Sequence, residues 1–183
     1  MAEKAFYGDY EYEPHYGEAI PEAVWCTICS YDGSEEHVTV PEEIDGYPVG
    51  EIGDGAFRYN KFLKSVTLPQ NLTDIGEEAF EGCANLESVI IPEGVLRIGA
   101  RAFYDCSSLS SVVLPQSLLR IDQQAFEDCT SLASIVIPPS VIFIESRAFA
   151  WCESLKSLTL PRNGVCMAHD AFEMCKIENV YEQ

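Results

Sequence analysis

The side chains able to do chemistry are eight cysteines, three histidines and 30 Asp or Glu in a chain of 183 residues. Five of the cysteines, Cys83, Cys106, Cys129, Cys152 and Cys175, recur every 23 residues. Metal sites and disulfides both need sulfurs that converge. A fixed period instead sets one thiol on each repeat, side by side and pointing the same way. An odd set cannot pair completely, so the spacing predicts a buried column of free, inert thiols acting as small hydrophobes. Cys26 and Cys29 make one CxxC pair. Zinc would need a second pair of ligands, and redox chemistry would need the pair to open a helix in a βαβ unit. The sequence offers neither, so these two read as members of an N-terminal strand. Cys166 has no assigned role.

His15, His37 and His169 occupy unrelated positions, and the repeat places no nucleophile against any of them. The carboxylates are scattered as solvated surface charge usually is. Gly53, Gly76 and Gly99 lie 23 residues apart and form no phosphate-binding loop. No D-x-D-x-D-G calcium loop is present. No catalytic residue, metal ligand or cofactor is assigned, and the chain reads as non-enzymatic.

The charge excludes further classes. Thirty acids against 11 bases give −19 and a pI near 4.3. Such a chain repels nucleic acid and gains nothing from anionic lipid. Residues 1–60 hold 14 acids and 2 bases, which makes them the most acidic part; solubility accounts for that. No stretch approaches the run of about 18 apolar residues that a spanning helix requires, so membrane insertion is not expected.

The elements that hold these residues come from one repeat. Ala-Phe pairs recur at Phe57, Phe80, Phe103, Phe126, Phe149 and Phe172, each 23 residues after the last. Pro69, Pro92, Pro115, Pro138 and Pro161 keep the same period, as do Leu63, Leu86, Leu109, Leu132 and Leu155. Ile52, Ile75, Ile98, Ile121 and Ile144 form a further column that ends in Met167. In Ser65-Val66-Thr67-Leu68 the side chains alternate, with Val66 and Leu68 on one face and Ser65 and Thr67 on the other. Proline then ends the strand. Leu72, Ile75, Ala79 and Phe80 point inward on the return, where the spacing predicts about one helical turn or a 3₁₀ piece. Each unit leaves an apolar face that only its neighbours cover, so the units must stack.

Strand-Pro, Ile-Gly, Ala-Phe and a late Cys in a 23-residue unit resemble the BspA-like leucine-rich repeat, over roughly Val38 to Val180. The first repeat, with five residues inserted between Pro41 and Ile52, is similar to the opening repeat of many members. The resemblance implies an α/β right-handed solenoid with a curved parallel sheet, mostly strand and turn with short helical pieces. It further implies a binding module, often adhesive at bacterial or protist surfaces, with no catalytic residues. Gly164, Asp122 and Glu145 depart locally from the pattern. The division expected is an N-terminal cap at 1–36, with Val24 to Ile28 as its strand; six repeats of about 23 residues at 37–176; and the start of a further strand, or an edge, at 177–183.

Residues pointing off the concave face escape the demands of packing. One column reads His37, Ser65, Ser88, Ser111, Ser134, Ser157. The next reads Thr39, Thr67, Ile90, Val113, Val136, Thr159, with Lys64, Glu87 and Lys156 alongside. Three adjacent aliphatic side chains on an outward face mark the expected dock for a protein partner; β-propensity is the plainer account of the same residues. The alternative is a structural array whose ends make the contacts, with self-association through Ile177 to Val180. The N-terminus has no basic, apolar leader. Taken as given, the chain is expected in the cytoplasm; a cell-surface or secreted setting follows if an export signal has been removed.

Overall fold

The computed structural model describes residues 4–17 and 23–183; the parts of the expected cap at 1–3 and 18–22 lie outside them. The chain opens with an antiparallel meander, β1 (Ala5–Tyr7), β2 (Tyr10–Tyr16) and β3 (Ala23–Tyr31). β4 (His37–Thr39) follows, then a hairpin of β5 (Glu43–Ile44) and β6 (Tyr47–Ile52). Its two loop residues, Asp45 and Gly46, have φ of 50° and 84°, as a tight type I′ hairpin turn requires. The residues inserted into the first repeat build this hairpin. Tyr12 Oη donates to Asp45 across 2.6 Å and ties the meander to it. That bond pushes the Tyr12 phenol up to about 12.

Each later unit contributes a strand before its proline and a shorter one after it. These are β7 (Ser65–Thr67) and β8 (Asp74–Ile75), β9 (Ser88–Ile90) and β10 (Arg97–Ile98), and β11 (Ser111–Val113) and β12 (Arg120–Ile121). Then come β13 (Ser134–Val136) and β14 (Phe143–Ile144), β15 (Ser157–Leu160) and β16 (Cys166–Met167), and last β17 (Asn179–Glu182). β4 and, from β7 on, the odd-numbered strands make a front side in two sheets, β11-β9-β7-β4 and β13-β15-β17. The even-numbered strands continue from the meander as one back sheet in the order β1-β2-β3-β6-β8-β10-β12-β14-β16. The repeats pair in parallel with the 23-residue offset, Ser65 against Ser88 and Ser88 against Ser111. The molecule is a parallel β-solenoid of about seven turns.

Between front and back lies one continuous core. The Phe column stacks from Phe57 to Phe172 with ring centroids 5.0–5.1 Å apart and planes within 13°. It runs on into the cap through Tyr31, 5.0 Å from Phe57, and Tyr10, 4.9 Å from Tyr31. The N-terminal meander therefore covers the first rung with aromatic rings of matching pitch.

Where the sequence predicts a helical turn after Ile75, the described residues contain no helix. Two residues per unit take left-handed backbone: Glu78, Arg101, Gln124 and Arg147 in one column (φ 56–59°), and Tyr59, Asp105, Asp128, Trp151 and Met174 in the other (φ 55–63°). Left-handed residues end an α-helix, and the backbone bonds go elsewhere. The amides of Phe57, Phe80, Phe103, Phe126 and Phe149 each donate 2.7 Å to the alanine carbonyl of the next rung, where a helix would need a bond within its own segment. Tyr59 donates to Glu81 and Gly82 to Tyr104 in the same direction.

Candidate functional site

The ladder register lines up the outward columns of the front side. Strand pairing sets His37, Ser65, Ser88 and Ser111 side by side, and Thr39 beside Thr67. Ser134 and Val136 pair with Ser157 and Thr159 in the second sheet. Val66, Leu68, Val89 and Ile91 are buried, so their strand neighbours must face out. Ile90 is 68% exposed, and Val113 and Val136 are 51% exposed each. Thr39, Thr67, Ser88, Ser111 and Ser134 are exposed, Ser65 and Thr159 half-buried. His37 Nδ1 and Ser65 Oγ share a hydrogen bond of 2.8 Å.

A hollow of about 490 Å³ lies on this side, over β7, β9 and β11. It brings together Ser65, Thr67, Ser88, Ile90 and Val113 from the two columns. His37, Thr39, Ser111, Ser134, Val136 and Thr159 stand outside it. Its other wall is the corner after each strand, with Gln70, Pro92, Glu93 and Pro115. From the sequence Pro92 and Pro115 read only as strand ends, and Gln70 and Glu93 are not singled out, although the column three residues past each strand, read at the same period, carries the latter two. Two corners are fixed by side-chain caps: Glu42 accepts from the Gln70 amide (2.8 Å) and Glu93 from the Gln116 amide (3.1 Å).

Charge is uneven around the hollow. Lys64 is bound to Glu36 at 2.8 Å and Lys156 to Glu178 at 3.1 Å. Among the described residues, Glu87 and Glu93 have no cation within ion-pair distance.

The back sheet carries a second outward apolar column, Leu96, Leu119 and Ile142, beside Phe143. Arg97 and Arg120 flank it, and both bind the buried carboxylate of Asp122, Arg97 at 2.7 Å. The sequence reading treated carboxylates as surface charge, and three of them are not. Besides Asp122, Glu81 and Glu127 are almost fully buried. Glu81 accepts from Arg101 (2.9 Å), Arg58 (3.3 Å) and the Tyr59 hydroxyl (2.9 Å). Glu127 accepts from Gln124 at 2.6 Å and pairs with Arg147. Buried carboxylates persist only when compensated in this way; the arginines on Glu81 and Glu127, and Arg97 on Asp122, come from neighbouring rungs, while Gln124 and Arg120 belong to the carboxylate's own. Asp122 occupies the slot of Gly76 and Gly99; its departure from the pattern is matched by Arg97 on the rung before and Arg120 on its own.

The cysteine column has its own chemistry. Each thiol donates to the Phe carbonyl one rung back: Cys83 to Phe57 (3.1 Å), Cys106 to Phe80, Cys129 to Phe103 and Cys152 to Phe126 (3.2 Å each), and Cys175 to Phe149 (3.0 Å). Burial pushes the Cys83 thiol up to about 12 and raises Cys106 and Cys129 as well, away from the thiolate that reactivity needs. All eight cysteines are free.

In the cap, His15 Nε2 meets Thr27 Oγ1 at 2.7 Å and Thr27 donates to Glu51 at 3.0 Å. The His15 ring stacks on Trp25, 3.9 Å between centroids. This chain was not visible in the sequence, because it depends on the antiparallel pairing of β2 with β3. Cys29 lies in the same shallow hollow, but burial raises its pKa and its thiol points at the Thr27 carbonyl. It is a thiol held protonated, with no activated nucleophile beside the histidine. Among the described residues, no three His, Cys, Asp or Glu side chains are placed to hold a metal ion. No helix there is long and apolar enough to cross a membrane.

The repeat decides the family. The profile of the BspA type leucine rich repeat region matches six copies over residues 50–181. The chain belongs to that family. BspA-type repeats form a non-catalytic scaffold, a protein-interaction or surface repeat module. A leucine rich repeat protein of T. pallidum is 31% identical, with TM-score 0.79 over 97% of this chain and 86% of its own. A leucine rich cell surface protein of Faecalibacterium prausnitzii is 29% identical, with TM-score 0.85 over 98% of this chain. This chain spans about half, 51%, of the Faecalibacterium protein. The pneumococcal vaccine antigen PcpA shares the fold at 18% identity, TM-score 0.62, over 86% of this chain and 49% of its own. No protein with a curated description matches the sequence.

Proposed function

We propose that this BspA-type chain is a non-enzymatic binding module that recognises a protein partner through the front face, in an adhesive setting at a cell surface. The observation that carries the reading is the adjacent column Ile90, Val113 and Val136, three aliphatic side chains held in water where core packing requires none of them. The likeness to a leucine rich cell surface protein supports the surface setting. The reading calls for no cofactor, nucleic acid or membrane insertion.

A crosslinking pull-down with host matrix proteins as baits tests it, comparing wild type with an Ile90→Asp/Val113→Asp/Val136→Asp variant. The expected result is a partner kept by wild type and by Leu119→Asp on the back sheet, and lost by the triple variant at an unchanged melting temperature. Equal recovery by the triple variant and wild type removes the front face from the proposal.

A second reading rests on β17, which among the described residues pairs with β15 alone and exposes Val180 and Tyr181. In it, end-to-end contacts make an array. Sedimentation that depends on concentration and is abolished by Val180→Asp would favour it.

A further inference from the structure

Resting on the front-face reading, we propose that the hollow over β7, β9 and β11 takes an extended peptide segment of the partner in which an aliphatic side chain is flanked by Lys or Arg. The floor holds Ile90 and Val113, with Thr67 on the rung before them, and it favours a branched aliphatic side chain. Two carboxylates outside any ion pair among the described residues stand near it. Glu87 immediately precedes β9 and Glu93 follows it across the proline corner, so the two carboxylates flank Ile90 from opposite ends of one strand. Glu93 lines the hollow directly.

The cations nearby are committed elsewhere. Lys64 is engaged by Glu36 and Lys156 by Glu178, which leaves Glu87 and Glu93 without a counter-charge among the described residues. An acidic or neutral segment would bring the same apolar contact and leave both carboxylates without a counter-charge as water is expelled; a basic one supplies it.

Three fluorescein-labelled peptides, alternating Leu with Lys, Glu or Ser, provide the test by fluorescence anisotropy at about 150 mM salt. The Lys-Leu peptide is expected to bind about tenfold more tightly than the Ser-Leu peptide, with the Glu-Leu peptide weakest. Glu87→Gln/Glu93→Gln removes only 2 of 30 acids and should bring the Lys-Leu affinity down to that of Ser-Leu. Unchanged Lys-Leu binding by this variant would assign the attraction to the net charge of −19 and overturn the proposal, as would no binding at all. Equal binding of the three peptides, lost in Val113→Asp, would overturn the charge preference and leave the front-face reading standing. Lys-Leu binding that survives Val113→Asp would remove both.

Discussion

The Phe side and the front side of this solenoid carry one residue per rung at nearly the same pitch, yet they are built on opposite terms. On the Phe side the rungs repeat the same ring, the same bond from rung to rung and, from Phe80 on, the same thiol. On the front side the column runs Thr, Thr, Ile, Val, Val, Thr, with an ion pair here and a bare carboxylate there. A buried column must match itself, because each ring is the only surface its neighbours can pack on. An outward column answers only to strand propensity, so its identity is free to be set by a ligand. Uniformity along the axis marks packing, and variation marks the place to look for recognition.

The sharpest way to break the comparison is to swap the treatment of the two sides. Phe103→Ala opens a hole in the middle of the stack and should cost about 3–5 kcal/mol by denaturant unfolding. Val113→Asp, on the front side of the next repeat, should stay within about 0.5 kcal/mol of wild type. A large loss from Val113→Asp would place that residue in the core and cancel the distinction.

Two glycines refine it. Gly82 has φ of 69°, and a Cβ there would lie 2.3 Å from Tyr59 Cδ1; Gly164 has φ of 80° with open space around it. Both alanine variants bear the left-handed backbone cost of about 1–2 kcal/mol. Only Gly82→Ala must also displace the Tyr59 ring that bonds Glu81, so it should be the more destabilising. Equal melting temperatures would show that the ring moves freely.

Thiol chemistry separates the sides kinetically. Exposed Cys166 should react with a disulfide reagent within the mixing time, whereas Cys83, Cys106, Cys129 and Cys152 should react only at the rate of unfolding. Mass spectrometry of the labelled peptides reads this out; early labelling of Cys129 would contradict the closed column.

The smallest effect is on the back sheet. Burial raises Asp74 to about 6, against the pull of Arg97, with Glu51, Asp122 and Asp54 adding to the rise. A carboxyl whose folded pKa lies above its unfolded value of about 3.8 contributes stability when protonated and loses it as pH climbs through about 6. Stability should therefore rise on going from pH 7 to pH 5. Asp74→Asn should flatten part of that slope, and an identical slope in both proteins would leave Asp74 out of it.

The fold was legible because its signal is repetition: the columns of Phe, Cys, Pro and Ile fix the period, and the period fixes register. The left-handed turns were not, since Glu78, Arg101, Gln124 and Arg147 do not announce such backbone the way Gly82 or Asp105 does. The stacking of rungs imposes it on them. The buried carboxylates escaped for a related reason: Glu81 meets Arg58 and Arg101, and Asp122 meets Arg97, from neighbouring units, at separations no local pattern encodes. On the front side, alternation within Ser-Val-Thr told which residues face out. The hollow needed the corner of Gln70 and Glu93 as well, and a corner's direction follows from the three-dimensional turn after each proline.

The bonds that replace the helix in the Phe turns also give the molecule an electrical polarity. In the front and back sheets, amides point alternately to the rung before and the rung after, as Leu96 to Thr73 and Ile91 to Val113 do, and their dipoles largely cancel. In the Phe turns the amides of Gly55, Phe57 and Tyr59, and their counterparts up the stack, all point forward. Peptide units of about 3.5 D each therefore add head to tail, as in an α-helix laid along the solenoid axis. The negative pole falls at the first rung, beside the cap, and each further rung lengthens this dipole without changing its sign.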